Sequence, residues 1–101
     1  MNWHRLIGYI FEKKENGLVF RLEFFDYYGD VGATLSIKYT TSSGYTRTAT
    51  ITSWHHVDKE FKDIEEFLNK VDEEIKKFCK ENFEVFESFK KHGWKLVTDD
   101  P

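Results

Sequence analysis

One stripe of apolar residues, repeated at helical spacing from Phe61 to Phe89, constrains this chain more than any other feature of its sequence. Between Lys59 and His92 the apolar side chains keep one phase at about 100° per residue, the angular step of an α-helix. No Gly or Pro interrupts the segment. The stripe consists of Phe61, Ile64, Phe67, Leu68, Val71, Ile75, Phe78, Cys79, Val85, Phe86 and Phe89. It predicts one amphipathic helix whose other side is built from Lys, Glu and Asp.

The ends of this helix carry residues that favour helix termini. Asp58 is suited to cap the free N–H groups of the first turn, and Gly93 can adopt the left-handed conformation that ends a helix. A helix of about 34 residues would be roughly 50 Å long at 1.5 Å per residue. A break into two helices near Asn82 is the alternative. The phase of the stripe does not change there, so we predict one continuous helix.

A helix of this length is expected to extend past the sheet of a small domain and to need a partner for part of its stripe. The alternating spacing of three and four residues resembles a coiled-coil seam, in which a buried Asn such as Asn82 can fix register. This interpretation predicts a homodimer with Asn82, Val85, Phe86 and Phe89 in the interface. The alternative is that the whole stripe lies across the sheet and that Asn82 bonds to a nearby backbone group.

Residues 2–57 change to the alternating pattern of β-strands, with turn residues at intervals. Asn16-Gly17 suits a tight hairpin, and Gly29 to Gly32 and Ser42 to Gly44 supply two more turns. Three short connections in succession imply an antiparallel meander, because parallel strands need longer crossovers. The predicted strands are about Trp3–Lys13, Leu18–Tyr28, Ala33–Thr41 and Tyr45–His55, with a short fifth strand at Trp94–Val97 as an option.

The fold class that follows is a single α+β domain covering residues 1–101. It is a four-stranded antiparallel meander followed by one long amphipathic helix packed on one face. A chain of 101 residues is too short for two such domains. The face away from the helix is expected to be rich in Thr and Ser.

The composition indicates the cellular compartment and the kind of source organism that we expect for the protein. Cys79 is the only cysteine, so no intrachain disulfide can form and a reducing cytoplasm is expected. No run approaches the roughly 20 apolar residues that cross a bilayer, and we expect neither a signal peptide nor a membrane partner. Abundant Lys and Glu without glutamine favour a thermophilic source, although an AT-rich genome would also enrich Lys.

No residue pattern in the sequence indicates catalysis or metal binding. His55 and His56, close to Asp58, form the densest cluster of possible ligands, but strand neighbours point to opposite faces and no zinc-ligand spacing is present. The serines lack a glycine elbow, and there is no phosphate-binding glycine loop. We therefore expect a non-enzymatic protein with no catalytic residue, cofactor or metal.

The polar face of the predicted sheet is the first candidate for a binding surface. Such faces hold single-stranded nucleic acid when Lys or Arg meets phosphates and aromatic rings stack on bases. The residues predicted to share this face are Arg21, Lys38, Phe25, Tyr27 and Trp54, with Arg5 or Arg47 as additions. The alternative is that Thr, Ser and aromatic residues are present because they form stable strands. The net charge of −3 does not point to a strongly basic nucleic-acid binder.

The predicted order of elements, four antiparallel strands and then a long helix, resembles the repeating unit of the Whirly and Pur families of single-strand nucleic-acid-binding proteins. The resemblance spans residues 3–92. It is one of element order, since no family motif matches residue by residue. It implies binding of single-stranded nucleic acid.

The charged side of the helix supports a different function. Residues 58–101 carry thirteen acidic against nine basic side chains, whereas residues 1–57 carry five against six. A small acidic protein can occupy a basic cleft on a protein partner and exclude nucleic acid from it, as viral inhibitors of host defence do. Lysines interleaved with the acids are equally typical of a solvated helix face. The first hypothesis thus places binding on the sheet, and the second places it on the helix.

Overall fold

The computed structural model describes residues 1–41 and 43–95. Its elements are a 3-10 helix (Trp3–Leu6), strands β1 (Ile10–Glu15), β2 (Leu18–Tyr27), β3 (Asp30–Thr40) and β4 (Thr46–Trp54), and helices α1 (Val57–Glu60) and α2 (Ile64–Lys91). The strands form one antiparallel sheet in the order β1-β2-β3-β4. The predicted meander followed by one long helix is therefore confirmed. The optional fifth strand falls largely outside the described residues.

Two tight turns set the register of the first three strands. Asn16 and Gly17 both have positive φ, 53° and 77°, as a two-residue hairpin requires. Tyr28 and Gly29 form the next turn in the same way, with φ of 51° and 89°. This turn lies closer to β2 than predicted, so β3 begins at Asp30 rather than at Ala33.

The first predicted strand is wrong over its first half. Trp3–Leu6 is a 3-10 helix, and the side chain of Asn2 accepts a hydrogen bond from the N–H of His4 at 3.2 Å. This conformation buries Trp3, whose ring meets the ring of Phe67 edge-on at 6.2 Å. β1 therefore starts only at Ile10.

The long helix starts later than predicted. α2 begins at Ile64, and Asp63 is its N-cap, with Oδ1 accepting a hydrogen bond from the N–H of Glu66 at 2.9 Å. Phe61 lies between α1 and α2 in an extended conformation. Asp58 does not cap α2 and accepts a hydrogen bond from the N–H of Val31 at 3.0 Å.

The prediction that the helix continues through Asn82 is confirmed. α2 has 28 residues, which corresponds to a length of about 42 Å. Lys90 and Lys91 lie in its last turn, where positive charge complements the helix dipole.

The core lies between one face of the sheet and the first half of α2. Phe67 is fully buried at its centre, with the rings of Trp3, Phe24, Trp54 and Phe61 at centroid distances of 5.1–6.2 Å. The other buried members are Phe20, Leu22, Val31, Ala33, Leu35, Val57, Val71 and Ile75. These contacts hold residues 64–79 against the sheet.

A β-bulge in β4 reverses the faces predicted for its last residues. Thr52 pairs with Leu35, but Thr50 pairs with Ser36, so Ile51 has no partner of its own. The extra residue shifts the alternation by one position. Trp54 consequently lies on the α2 side, 5.1 Å from Phe67, and its predicted place on the polar face is wrong.

The second half of α2 extends past the sheet. Among the described residues, no side chain of α2 after Ile75 is buried, and Phe78 and Cys79 are its last contacts with the core. We call residues 80–91 the overhang. It gives the molecule a radius of gyration of 16.0 Å, against about 13 Å for a compact domain of this size.

The position of Trp54 can be tested by substitution. Trp54→Ala should reduce the free energy of unfolding by about 2–3 kcal/mol, because it removes a large ring that packs on Phe67. Thr50→Val, on the opposite face, should change it by less than about 0.5 kcal/mol. Urea denaturation of both variants gives the comparison. If Trp54→Ala lowered the free energy of unfolding by less than about 1 kcal/mol, the result would contradict the bulge and would indicate that this side chain lies on the polar face.

Candidate functional site

The face of the sheet opposite α2, here called the open face, is the first candidate binding surface. Cross-strand pairs define its rows. Lys14, Val19, Lys38 and Thr48 form one row, and Glu12, Arg21, Ser36 and Thr50 form the next. The residues of β4 on this face are hydroxyl-rich and exposed, as the sequence predicts.

The basic residues of the open face gather at the end near the Asn16-Gly17 turn. Lys14, Arg21 and Lys38 lie on three adjacent strands in neighbouring rows. Glu12 lies among them, with its Oε2 atom 3.4 Å from the Nζ atom of Lys38. The positive charge of this end is therefore partly neutralised within the chain.

The aromatic residues lie at the other end of the same face. Phe25 packs over Gly32, where any Cβ atom would clash with the phenyl ring. Tyr27 stacks on the ring of His55 at a centroid distance of 4.2 Å and an angle of 13°. One side of the Tyr27 ring is thus already covered by a side chain of the protein.

Four of the five predicted nucleic-acid-binding residues lie on the open face, but they lie at two separate ends of it. Arg21 and Phe25 are four residues apart in β2, a separation of about 14 Å, and Glu23 lies on the same face between them. Trp54 lies on the other side of the sheet. Of the two additions, Arg47 pairs with Tyr39 on the α2 side.

A charged cluster joins the aromatic end of the sheet to α1. The carboxylate of Asp30 accepts hydrogen bonds from Lys59 Nζ at 2.8 Å and from His56 Nδ1 at 2.6 Å. These contacts lower the pKa of Asp30 below its usual 3.8, and the contact with Lys59 has the largest effect. The Asp30 carboxylate in turn raises the pKa of Lys59. His55 and His56 thus have different roles, one in stacking and one in hydrogen bonding.

The lowered pKa of Asp30 predicts the pH dependence of its contribution to stability. A carboxylate whose pKa is lower in the folded state stabilises the fold above the unfolded value of 3.8, and this stabilisation is lost as the pH falls through the folded pKa. Asp30→Asn should therefore lower the melting temperature at pH 7. The difference from the unmodified protein should shrink well below pH 3.8. A difference that grows as the pH falls below 3.8 would contradict the assignment.

The second surface is formed by the overhang and the turn that follows it. Its apolar side chains are Phe83, Val85, Phe86, Phe89 and Trp94, each between 49% and 67% exposed. We call these five residues the apolar patch. Phe83, Phe86, Phe89 and Trp94, together with the stems of charged neighbours, line a groove of about 570 Å³. Val85, Phe86 and Phe89, predicted as interface residues, are therefore on this exposed surface, and Asn82 lies beside them half-buried.

Trp94 joins the apolar patch because of the way α2 ends. Gly93 has a φ of 86°, its N–H donates to the carbonyl of Lys90 at 3.0 Å, and the N–H of Trp94 donates to the carbonyl of Phe89 at 2.9 Å. This pair of hydrogen bonds is the Schellman motif, which turns the chain back over the helix. An apolar residue directly after the capping Gly is the sequence signal for this contact, and the sequence interpretation did not use it.

The acidic residues of α2 do not form an unbroken negative surface. Lys70 Nζ lies 3.4 Å from Glu73 and 3.6 Å from Glu74, and Lys90 Nζ lies 3.4 Å from Glu87. Lys13 of β1 pairs with Asp72 at 2.9 Å. The charges on the solvated side of the helix are thus interleaved and partly paired.

Within the described residues, no group of three or more His, Cys, Asp or Glu is placed to hold a metal ion. No helix in that part of the chain is both long enough and apolar enough to span a membrane. Comparison with protein-family models, with curated proteins and with solved structures gave no match.

Proposed function

We propose that this protein is a binding protein that acts through protein–protein contact made by the apolar patch. The observation that carries the proposal is the exposure of five large apolar side chains, four along the part of α2 that the sheet does not cover and Trp94 in the turn after it. Soluble monomers rarely expose a contiguous apolar surface of more than a few hundred Å², and larger ones mark interaction sites.

The chemistry of the patch indicates what kind of partner surface it fits. Three Phe and one Trp supply the aromatic anchors that carry most of the binding energy in protein interfaces. The three Phe lie along one helix and Trp94 lies in the turn that ends it, and such a helix docks into an apolar groove or against another helix. The half-buried free thiol of Cys79 on the same helix suits a reducing, cytoplasmic setting.

This proposal modifies the second hypothesis from the sequence, that an acidic helix binds a basic cleft as a viral inhibitor would. The helix remains the binding element. Apolar area replaces net charge as the source of affinity, because Lys70 and Lys90 pair with the neighbouring acids and exposed charge pairs contribute little.

Photo-cross-linking tests the proposal. A photoreactive phenylalanine analogue in place of Phe83 should join the protein to specific protein partners, including further copies of itself, in lysate of the source cells. Phe86→Asp with Phe89→Asp in the same chain should abolish the products, since two charges then lie in the interface. The matched control is the analogue in place of Tyr28, which is 93% exposed at the turn after β2. Products that persist in the double variant, or none at either position, would contradict the proposal.

Binding of single-stranded nucleic acid across the open face is a second candidate function. It is supported by the cluster of Lys14, Arg21 and Lys38 on three adjacent strands, with Phe25 about 14 Å away along β2. A spacing of that size would be bridged by a short run of nucleotides. The position of Glu12 among the cations favours weak, salt-sensitive binding.

Fluorescence anisotropy with a labelled single-stranded oligonucleotide at low salt tests this second candidate. Arg21→Ala with Lys38→Ala should weaken binding at least about tenfold and reduce the dependence on salt concentration, because two phosphate contacts are lost. The matched control is Lys76→Ala with Lys77→Ala, which removes the same charge from α2. Equal loss in both pairs, or no binding by the unmodified protein, would eliminate the open face as a nucleic-acid site.

A further inference from the structure

We propose that the partner of the apolar patch is the same segment of a second copy of this chain, in a two-fold antiparallel pair of overhangs. This inference rests on the proposed protein-binding function and names the partner of that site.

The shape of the molecule is the first argument. Residues 64–79 of α2 lie on the sheet, whereas residues 80–91 extend past it, a length of about 18 Å. Beside the end of the sheet this leaves a space about one helix thick, roughly 10 Å. The overhang of a second copy, related by a two-fold axis, fills that space and continues the layer of the sheet. Each copy does the same for the other, as a symmetric interface requires.

The area available is the second argument. The five side chains of the apolar patch are half to two-thirds exposed, which amounts to roughly 500 Å² per copy when aromatic residues bury about 150–250 Å² each. Two copies would remove at most about 1,000 Å² of apolar surface, plus the polar rim. This total lies at the lower limit for a specific interface and fits a dimer in reversible equilibrium with the monomer.

The charge of the overhang is the third argument. The charged residues at the patch and its rim are Lys80, Glu81, Glu84, Glu87, Lys90, Lys91 and Lys95. Four positive against three negative groups leave the surface nearly neutral, so two copies do not repel each other there. The surface of a strongly basic or strongly acidic partner would not be complementary in charge to this surface.

Sedimentation equilibrium of the full chain tests the proposal. From about 1 to 200 µM the unmodified protein should change from 12.1 kDa to twice that mass. Phe86→Asp with Phe89→Asp should weaken association at least tenfold, while circular dichroism remains unchanged because neither side chain is buried. Tyr28→Asp, remote from the patch, should associate like the unmodified protein.

Disulfide trapping tests the antiparallel arrangement. In a Cys79→Ser background, Phe86→Cys should form a covalent dimer on mild oxidation, because position 86 lies near the middle of the overhang and so near the two-fold axis. Phe89→Cys should not, since the two copies of position 89 are then about 10 Å apart along the helix axis, beyond the reach of a disulfide. Equal cross-linking at both positions would indicate parallel helices and overturn the arrangement.

The remaining outcomes separate this inference from the proposed function. A protein that stays monomeric at 200 µM but still gives patch-dependent cross-links to another protein overturns the second-copy proposal and leaves the protein-binding function intact. A monomer without such cross-links overturns both. Dimerisation that occurs only after removal of residues 96–101 would identify that segment as the occupant of the patch and would also overturn the proposal.

Discussion

The packing of Phe67 among four aromatic rings is the interaction on which the rest of the structure depends. Trp3 comes from the N-terminal 3-10 helix, Phe24 and Trp54 come from the sheet, and Phe61 comes from the link between α1 and α2. The ring of Phe67 is fully buried among them. One side chain near the start of α2 therefore joins the helix to the N-terminal 3-10 helix, to β2 and β4, and to the link after α1, and sets where the helix begins to cover the sheet.

The same anchor determines what is left uncovered. Because α2 is fixed to the sheet near its N-terminus, a helix of 28 residues extends past the sheet at its other end. The apolar stripe continues over that end, and the turn at Gly93 adds Trp94 to it. This exposed apolar surface does not stabilise the monomer, and it becomes energetically favourable only where a partner removes it from water. The proposed binding by the overhang rests on this mismatch in length between helix and sheet.

Much of the fold could be predicted from the sequence because local chemistry decides it. The Asn16-Gly17 turn and the alternating strands require an antiparallel meander, and the unbroken phase of the stripe correctly predicts continuity through Asn82. The start of the helix was misplaced although a signal was present. Asp63 followed by Glu66 is an N-terminal capping pattern, but Phe61 still packs on Phe67 from outside the helix, so the stripe shows no interruption.

The binding surfaces were less predictable because they depend on pairing between distant residues. The bulge at Ile51 is defined only by the alignment of β4 on β3, and it alone moves Trp54 from the open face to the core. Periodicity likewise shows which side of α2 is apolar but not where the sheet beneath it ends. The excess length of the helix led to the prediction that Val85, Phe86 and Phe89 are interface residues, whereas the exposure of Phe83 and Trp94 beside them is visible only in the three-dimensional arrangement.

Hydrogen–deuterium exchange of the backbone amides of α2, measured at several protein concentrations, tests the central claim most directly. If the sheet covers only the first half of the helix, the amides of residues 67–79 will be protected at every concentration. The amides of residues 80–91 will exchange rapidly in dilute solution and become protected as the concentration rises. Equal and concentration-independent protection along the whole of α2 would contradict the account.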